Sequence, residues 1–291
     1  MTRSTLPSET RASARDDELA IALRPLATIA EYRACVALQL ETWGRESPDI
    51  VPASLVSVAH RCGGLAVGAF GADDALIGFV FGLTAIVDGK RSHWSHMLAV
   101  RAASRGAGVG RRLKEYQISA LSQRGVEELY WTFDPLQARN AYLNLNRLGA
   151  NVVDYVPNMY GTSASPLHHG METDRLIVSC PTTGRRPRSA TFERDLAASL
   201  PVLTLVARPG DVTVDISGPP LHAQALIEIP ADLEAVAHDS HAQALAWRAA
   251  TRAHLQWALK HAFTIVALVT DDASDRAFYL ISRDPSPFPQ A

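Results

Sequence analysis

Residues 97–114 read Met97-Leu98-Ala99-Val100-Arg101-Ala102-Ala103-Ser104-Arg105-Gly106-Ala107-Gly108-Val109-Gly110-Arg111-Arg112-Leu113-Lys114. The apolar residues up to Val100 predict a short strand. A glycine-rich turn follows, and an amphipathic helix begins at Val109. From Arg101 to Lys114 there are five cations and no acid, in a chain whose formal net charge is −2. Glycine lets a backbone approach a ligand closely and adopt positive φ. A helix N-terminus adds unpaired N–H groups and a partial positive charge. Together these features predict a phosphate site.

Spacing separates the kinds of phosphate loop. A Walker loop needs a Gly-Lys-Ser/Thr ending, which places a lysine on phosphate and a hydroxyl on Mg²⁺; the stretch has none. A dinucleotide fingerprint needs Gly-x-Gly-x-x-Gly directly after a strand. Here Gly106, Gly108 and Gly110 are spaced Gly-x-Gly-x-Gly, and Arg101 to Ser104 intervene. Glu127 and Glu128 lie near the position of the ribose-binding acid, but the rest of that pattern fails. What remains, Arg105-Gly106-Ala107-Gly108-Val109-Gly110, resembles the Arg-x-x-Gly-x-Gly loop of the GNAT superfamily of acyl-CoA-dependent N-acyltransferases. Leu98-Ala99-Val100 is similar to that family's fourth strand, and Arg111-Arg112-Leu113 to the start of its third helix. A glycine turn that binds nothing is the alternative.

Composition sets the outer limits. A chain of 291 residues is long enough for one large or two modest domains. Apolar residues make up 47% and charged residues 20%, as in ordinary globular proteins. With no general excess of cations, a nucleic-acid footprint is not expected. Cys35, Cys62 and Cys180 are widely spaced and form no CxxC pair, so a disulfide scaffold is not expected and a reducing, cytoplasmic compartment is. There is no run of 18 apolar residues, so no membrane partner is expected. Residues 1–17 are polar and lack the apolar core of a signal peptide; they predict a frayed tail.

Along the chain, Leu19–Leu26 predicts a strand. Thr28 and Glu31 form a capping box for a helix ending at Gly44. A helix follows from Pro52 to Arg61, then strands at Leu65–Phe70, Leu76–Ile86 and His93–Val100. The glycine loop leads into a helix over Val109–Ser122. A strand at Glu128–Phe133, a helix over Gln137–Leu148 and strands at Val152–Val156 and Arg175–Cys180 complete the series. This order, β-α-α-β-β-β-α-β-α-β-β, is also that of the GNAT fold, and the resemblance covers residues 18–182. The expected class is α/β with a mixed, α+β-type sheet. The resemblance implies central strands splayed to admit pantetheine. Residues 181–190 read as a linker. Beyond it, residues 183–291 predict a smaller α+β region, with strands at Val202–Ala207, Val212–Ile216, Ala223–Ile229, Phe263–Thr270 and Ala277–Ile281 and a helix over Ser240–His261. The whole resembles an extended group of acetyltransferases with a C-terminal addition.

The resemblance implies acyl-CoA as co-substrate, with acetyl-CoA the default. N–H groups of residues 106–111 would hold its phosphates, with Arg105 and Arg111 as charge partners. Gly106, Gly108, Val109 and Gly110 would line that cradle, and the Leu-x-Val strand, Leu98 and Val100, would lie along the cofactor. The Leu98 N–H would stabilise the thioester oxyanion. Alternation along a strand places His96, two residues earlier, on the face of Leu98, with Trp94 two before that. His96 is a candidate base, or else a histidine packed beside Trp94. Asp134 would bind the acceptor ammonium, relay its proton, or cap the next helix, because Pro135 stands where N1 would be. On that helix the family's Asn-x-x-Ala-x-x-Phe-Tyr pattern, counted back from Gly149, puts Leu145 where a thiolate-protonating tyrosine is usual. Tyr142 lies one turn earlier on the same face and is the substitute candidate. Of Asn140 and Asn144, spaced i,i+4, Asn140 is the expected CoA contact.

The stretch 155–171, with Tyr155, Asn158, Tyr160, His168 and His169, lies where acceptors bind in the family. Adjacent histidines point apart and no acid has ligand spacing, so no metal is expected. Arg248 and Arg252, also i,i+4, read as a solvated helix face or a clamp for a carboxylate such as a succinyl group. The expected activity is direct N-acylation of a small primary amine, such as an amino acid. A non-catalytic acyl-CoA sensor, a decarboxylation on the same fold, and a homodimeric state stay open.

Overall fold

The computed structural model describes residues 21–45, 47–161, 170–185, 187, 200–205, 214–271 and 275–284. The expected tail (1–17), His168, His169, residues 186 and 188–190 of the expected linker and residues 206–213 lie outside the described residues. The chain divides into two compact units, residues 1–125 and 126–291.

The first unit is built from local signals. Strand β1 (Ala22–Pro25) precedes helix α1 (Ile29–Trp43), whose start is set by the Thr28–Glu31 capping box and whose end is set by Gly44 at φ 94°. Helix α2 (Ala53–Arg61) begins after Pro52. Strands β2 (Leu65–Phe70), β3 (Leu76–Val87) and β4 (Lys90–Val100) pair antiparallel in the order β1-β2-β3-β4. Asp88 and Gly89, both at positive φ, make the two-residue turn between β3 and β4. Helix α3 (Val109–Gln123) follows the glycine loop. One sheet face buries Phe79, Phe81, Met97 and Ala99 against Tyr32, Cys35 and Leu38 of α1 and Val56 of α2. The other faces α3, where Gly78 leaves room for Leu113 and Val109.

In the second unit, β5 (Glu128–Phe133), β7 (Arg175–Pro181) and β6 (Asn151–Val156) pair antiparallel in the order β5-β7-β6. A second, mixed sheet runs β10-β11-β9-β8, from β8 (Val202–Leu203), β9 (Gln224–Pro230), β10 (Thr264–Asp271) and β11 (Arg276–Ser282). Its β8–β9 pair is parallel and the others antiparallel. Helices α5 (Leu233–Asp239) and α6 (His241–Lys260) accompany it.

The eleven-element order expected for residues 18–182 is present. Three local expectations change. The helix expected over Gln137–Leu148 is α-helical only as α4 (Ala138–Ala141) and continues as a π-helix over Tyr142–Arg147. Three successive residues, Asn144, Leu145 and Asn146, are buried there, and the wider turn keeps all three inside. Val214–Ile216 is irregular and touches β8 through a bond from Val214 N–H to Val202 C=O. Helix α5 was not anticipated; Asp232 caps it by accepting from the N–H groups of Glu234 and Ala235.

Candidate functional site

In the first unit, Val100 leads into a 3₁₀ turn (Ala102–Ser104) and then the glycines. Gly106 and Gly108 adopt φ of 82° and 73°, a region that costs other L-residues strain. Gly108 caps α3 without any side-chain hydrogen bond. The helical ladder begins with Arg112 N–H donating to Gly108 C=O, so the N–H groups of Val109, Gly110 and Arg111 precede it. A Cβ at Gly106 or Gly108 would meet nothing within 4 Å, so open space lies beside the loop. A Cβ at Gly110 would lie 3.6 Å from Leu98 Cδ2 and 3.8 Å from Val100 Cγ2, which seats the helix start against the end of β4.

The cations divide into two sets. Arg101 pairs with Glu41 at 3.2 Å and donates to Leu76 C=O; Arg112 donates to Ile21 C=O. These two hold the loop to its frame. Arg105 uses Nε on Val100 C=O, which leaves its two terminal nitrogens at the exposed surface beside Gly106. Arg111, on the first turn of α3, is half-buried.

The expected position of His96 requires a correction. Phe81 pairs with Met97 and Gly82 with Ser95, so His96 is the extra residue of a β-bulge. Directly paired residues share a face. Leu98 and Val100 pair with Val80 and Gly78, whereas Ser95 and His93 pair with Gly82 and Thr84. The bulge thus exchanges the parity of β4. Leu98 shares the α3 face with Ser95 and His93, and Trp94 stands on the opposite face with Phe81. The His96 ring packs edge-on to Phe81 with centroids 6.3 Å apart, on the α1 and α2 side of the sheet, and the residue is exposed. Desolvation lowers the His96 pKa, with Asp49 opposing.

On the α3 face lies a buried chain not singled out from the sequence. Lys114 Nζ donates to Ser95 Oγ (2.7 Å) and Gln117 Oε1 (3.2 Å). Gln117 Nε2 meets His93 Nε2 at 3.3 Å, His93 Nδ1 meets Thr84 Oγ1 at 2.9 Å, and Thr84 donates to Gly63 C=O. The directions are determined. Thr84 has one proton and gives it to Gly63, so it accepts from His93 Nδ1–H. Neutral His93 then accepts at Nε2 from the Gln117 amide. Burial first, then Lys114 and Arg124, push the His93 pKa down to about 3. Above pH ~6.5 the histidine is neutral in both folded and unfolded chains. Below that the unfolded chain takes up a proton that the folded one refuses. Stability should therefore fall as pH drops from about 6.5 toward 3, by up to about 1.4 kcal/mol per unit. Urea unfolding against pH should show a shallower slope in His93→Gln.

In the second unit, Asp134 is buried at the end of β5. It accepts Leu136 N–H at 2.9 Å and a two-pronged pair from Arg248, at 2.8 and 2.6 Å. Arg175 Nη1 lies 3.8 Å away. Asp134 therefore caps the turn ahead of the helix, but Gln137 is the helix N-cap. The bound guanidinium engages both carboxylate oxygens, so an ammonium or a relayed proton at Asp134 would compete with Arg248.

Arg248, expected on a solvated face, is only 4% exposed and clamps this chain's own carboxylate. Arg252 binds Asp174 through Nε (3.0 Å) and Nη2 (2.5 Å), and reaches Glu172 at 2.5 Å. Asp174 also accepts from Tyr155 Oη and Asn158 N–H. Burial would raise its pKa, but Arg252, Tyr155 and Asn158 together hold it below the usual value. Three arginines thus face three carboxylates, a matching invisible in the sequence because the partners are 41 to 114 positions apart.

Asn140 is exposed, whereas Asn144 is buried and accepts from Trp131 Nε1 at 3.0 Å. Of the two amides only Asn140 faces solvent. Tyr142 is half-buried and Leu145 fully buried. In the stretch expected to receive acceptors, Tyr155 is committed to Asp174, and Arg175 lies over the Tyr160 ring at 5.4 Å. Among the described residues no group of three potential metal ligands is found, and no helix is long and apolar enough to cross a membrane.

No protein-family model and no curated protein matches the sequence. Among solved structures, the chain is similar to the ribosomal-protein-S18-alanine N-acetyltransferase from Escherichia coli, at 18% identity and a TM-score of 0.44, covering 56% of this chain and 94% of that one. It is similar to a ribosomal-protein-alanine N-acetyltransferase from Brucella melitensis at 19% identity and a TM-score of 0.46, covering 55% and 99%. A GNAT superfamily phosphinothricin acetyltransferase from Sinorhizobium meliloti, solved with acetyl-CoA, is similar at 15% identity and a TM-score of 0.44, covering 55% and 88%. No residue's role passes from them to this chain.

Proposed function

We propose that this chain is an acyl-CoA-dependent N-acyltransferase of the GNAT type, moving an acyl group directly to the primary amine of a small molecule. The observation that supports this most is the start of α3: an N-terminus without a side-chain cap, behind two positive-φ glycines that open onto free space, with Arg105 and Arg111 beside it. N–H groups of residues 106–111 would hold the CoA phosphates. Val109 and Gly110 would carry that cradle onto Leu98 and Val100, and Asn140 is proposed as a further CoA contact.

In the reaction the amine nitrogen attacks the thioester carbonyl. A C–N bond forms, the C–S bond breaks, and the Leu98 N–H would stabilise the oxyanion. The amine proton passes to His96, whose lowered pKa keeps the imidazole neutral and able to accept it. The thiolate leaves and is protonated by Tyr142 or solvent; a thiol pKa near ~8.5 makes it a tolerable leaving group unaided. An α-amine titrates near ~8 and needs less help than a lysine amine near ~10.4, which favours an amino-acid-like acceptor. Acetyl is the default acyl group. A succinyl clamp at Arg248 or Arg252 would have to displace Asp134, Glu172 or Asp174. Asp134 is retained only as the anchor of the β5 end.

Acetyl-CoA turnover against a panel of amines tests the reading. Thiol release only when an amine is present supports it. CoA binding without turnover would establish the sensor that buried Leu145 favours, and CO₂ from malonyl-CoA would establish a decarboxylase. His96→Ala should lower kcat about 10²-fold with CoA affinity unchanged. In the parent chain the acid limb of kcat/KM should lie below pH ~6.5, because desolvation lowers the imidazole pKa. An unchanged rate and limb in the variant would reduce His96 to packing.

A further inference from the structure

Strand β10 is the edge strand of the second sheet. An open edge presents unpaired N–H and C=O groups that need a partner. Leu268, in its middle, meets Asn146 there. The Asn146 amide donates to Leu268 C=O at 3.0 Å and its carbonyl accepts Leu268 N–H at 3.0 Å. One side chain thus pairs with the edge as a neighbouring strand would. Asn146 is fully buried and belongs to the π-helical turn. Opposite Leu268 on β11 stands Tyr279, whose hydroxyl donates to Pro135 C=O at 2.6 Å. Arg248 of α6 holds the adjacent Asp134. Segment 134–147 is therefore gripped at both ends, at Asp134–Pro135 and at Asn146, by residues of the C-terminal region. Between the grips lie Asn140 and Tyr142.

We propose that Asn146 is a positioning residue, and that the C-terminal strands serve as a brace: the paired amide on β10 sets the pitch of helix 138–147 and so the placement of Asn140 and Tyr142. What those two residues do rests on the function proposed above; the brace itself does not. A buried amide in a double pair with a backbone has little freedom to rotate. Shifting it moves the helix as a unit. A helix tethered only at its entry would fray through its last turn, where intrahelical bonds end.

Asn146→Asp keeps the acceptor and the size but sets an oxygen against Leu268 C=O. Leu226→Val, in the β9 cluster with Phe278 and Leu280, serves as a destabilised reference on the sheet face opposite Tyr279. Amide hydrogen exchange on the full chain is the first readout. Exchange over residues 138–148 should quicken about 10-fold in Asn146→Asp relative to a reference of equal Tm. Steady-state thiol release is the second. There kcat should fall about 10-fold or more, while KM for acetyl-CoA moves by less than about 3-fold, because a displaced helix misplaces reacting groups more than it loosens the phosphate cradle. Unchanged protection of 138–148, or losses no larger than those of the reference, would overturn the brace. If no amine supports turnover even in the parent chain, the acyl-transfer reading fails and the exchange result alone decides the brace.

Discussion

Replacing Gly108 by glutamate is expected to weaken CoA binding at least about 100-fold while the chain stays folded. Two effects combine. At φ 73° a side chain costs roughly 1–2 kcal/mol of backbone strain. That cost falls on the loop, and nothing in the protein clashes, because a Cβ there meets no atom within 4 Å. The open space is where phosphate is proposed to sit. A carboxylate there replaces attraction by the helix N-terminus with repulsion, and it takes up the N–H groups that phosphate would use. Isothermal titration with CoA measures the loss, and circular dichroism verifies the fold. Gly108→Asn separates the effects, because asparagine tolerates the left-handed conformation and brings no charge. It should lose far less affinity. Equal CoA affinity in Gly108→Glu and the parent chain would remove the loop from the site.

Arg248→Met should destabilise the chain by about 3–5 kcal/mol, the usual result of leaving one member of a buried ion pair behind. Asp134 would keep Leu136 N–H and the Arg175 guanidinium at 3.8 Å, and lose both short contacts. The corresponding fall in Tm is on the order of 10 °C. The double variant Asp134→Leu/Arg248→Met should recover most of the loss, because it also removes the stranded charge. Urea denaturation of the four chains closes the cycle. A single variant as stable as the parent would show that Arg175 suffices for Asp134.

Much of the framework was legible because its causes are local. Thr28 and Glu31 announce a capping box within four residues, and Gly106 and Gly108 announce a positive-φ turn ahead of α3. Each depends on neighbours a few positions away, and the structure bears each of them out. The position of His96 illustrates the limit. Alternation along β4 is reliable only while its register with β3 holds, and one inserted residue reverses it. Nothing in Ser95-His96-Met97 marks that insertion.

The charged side chains show the same division. The sequence reveals that Arg248 and Arg252 share a helix face, since i,i+4 spacing is a property of the helix alone. Asp134 and Asp174, which claim them, arrive from strand ends far away in the chain. The π-turn and the strand-like pairing of Asn146 also depend on Trp131 and Leu268, across the fold. The amino-acid sequence alone therefore determined the order of the elements over residues 18–182, the cap of α1 and the glycine turn ahead of α3, all governed by local backbone geometry. Tertiary structure alone decided which face His96 occupies, which carboxylates the arginines hold and which amide stays exposed, because burial and pairing depend on neighbours brought together only by folding.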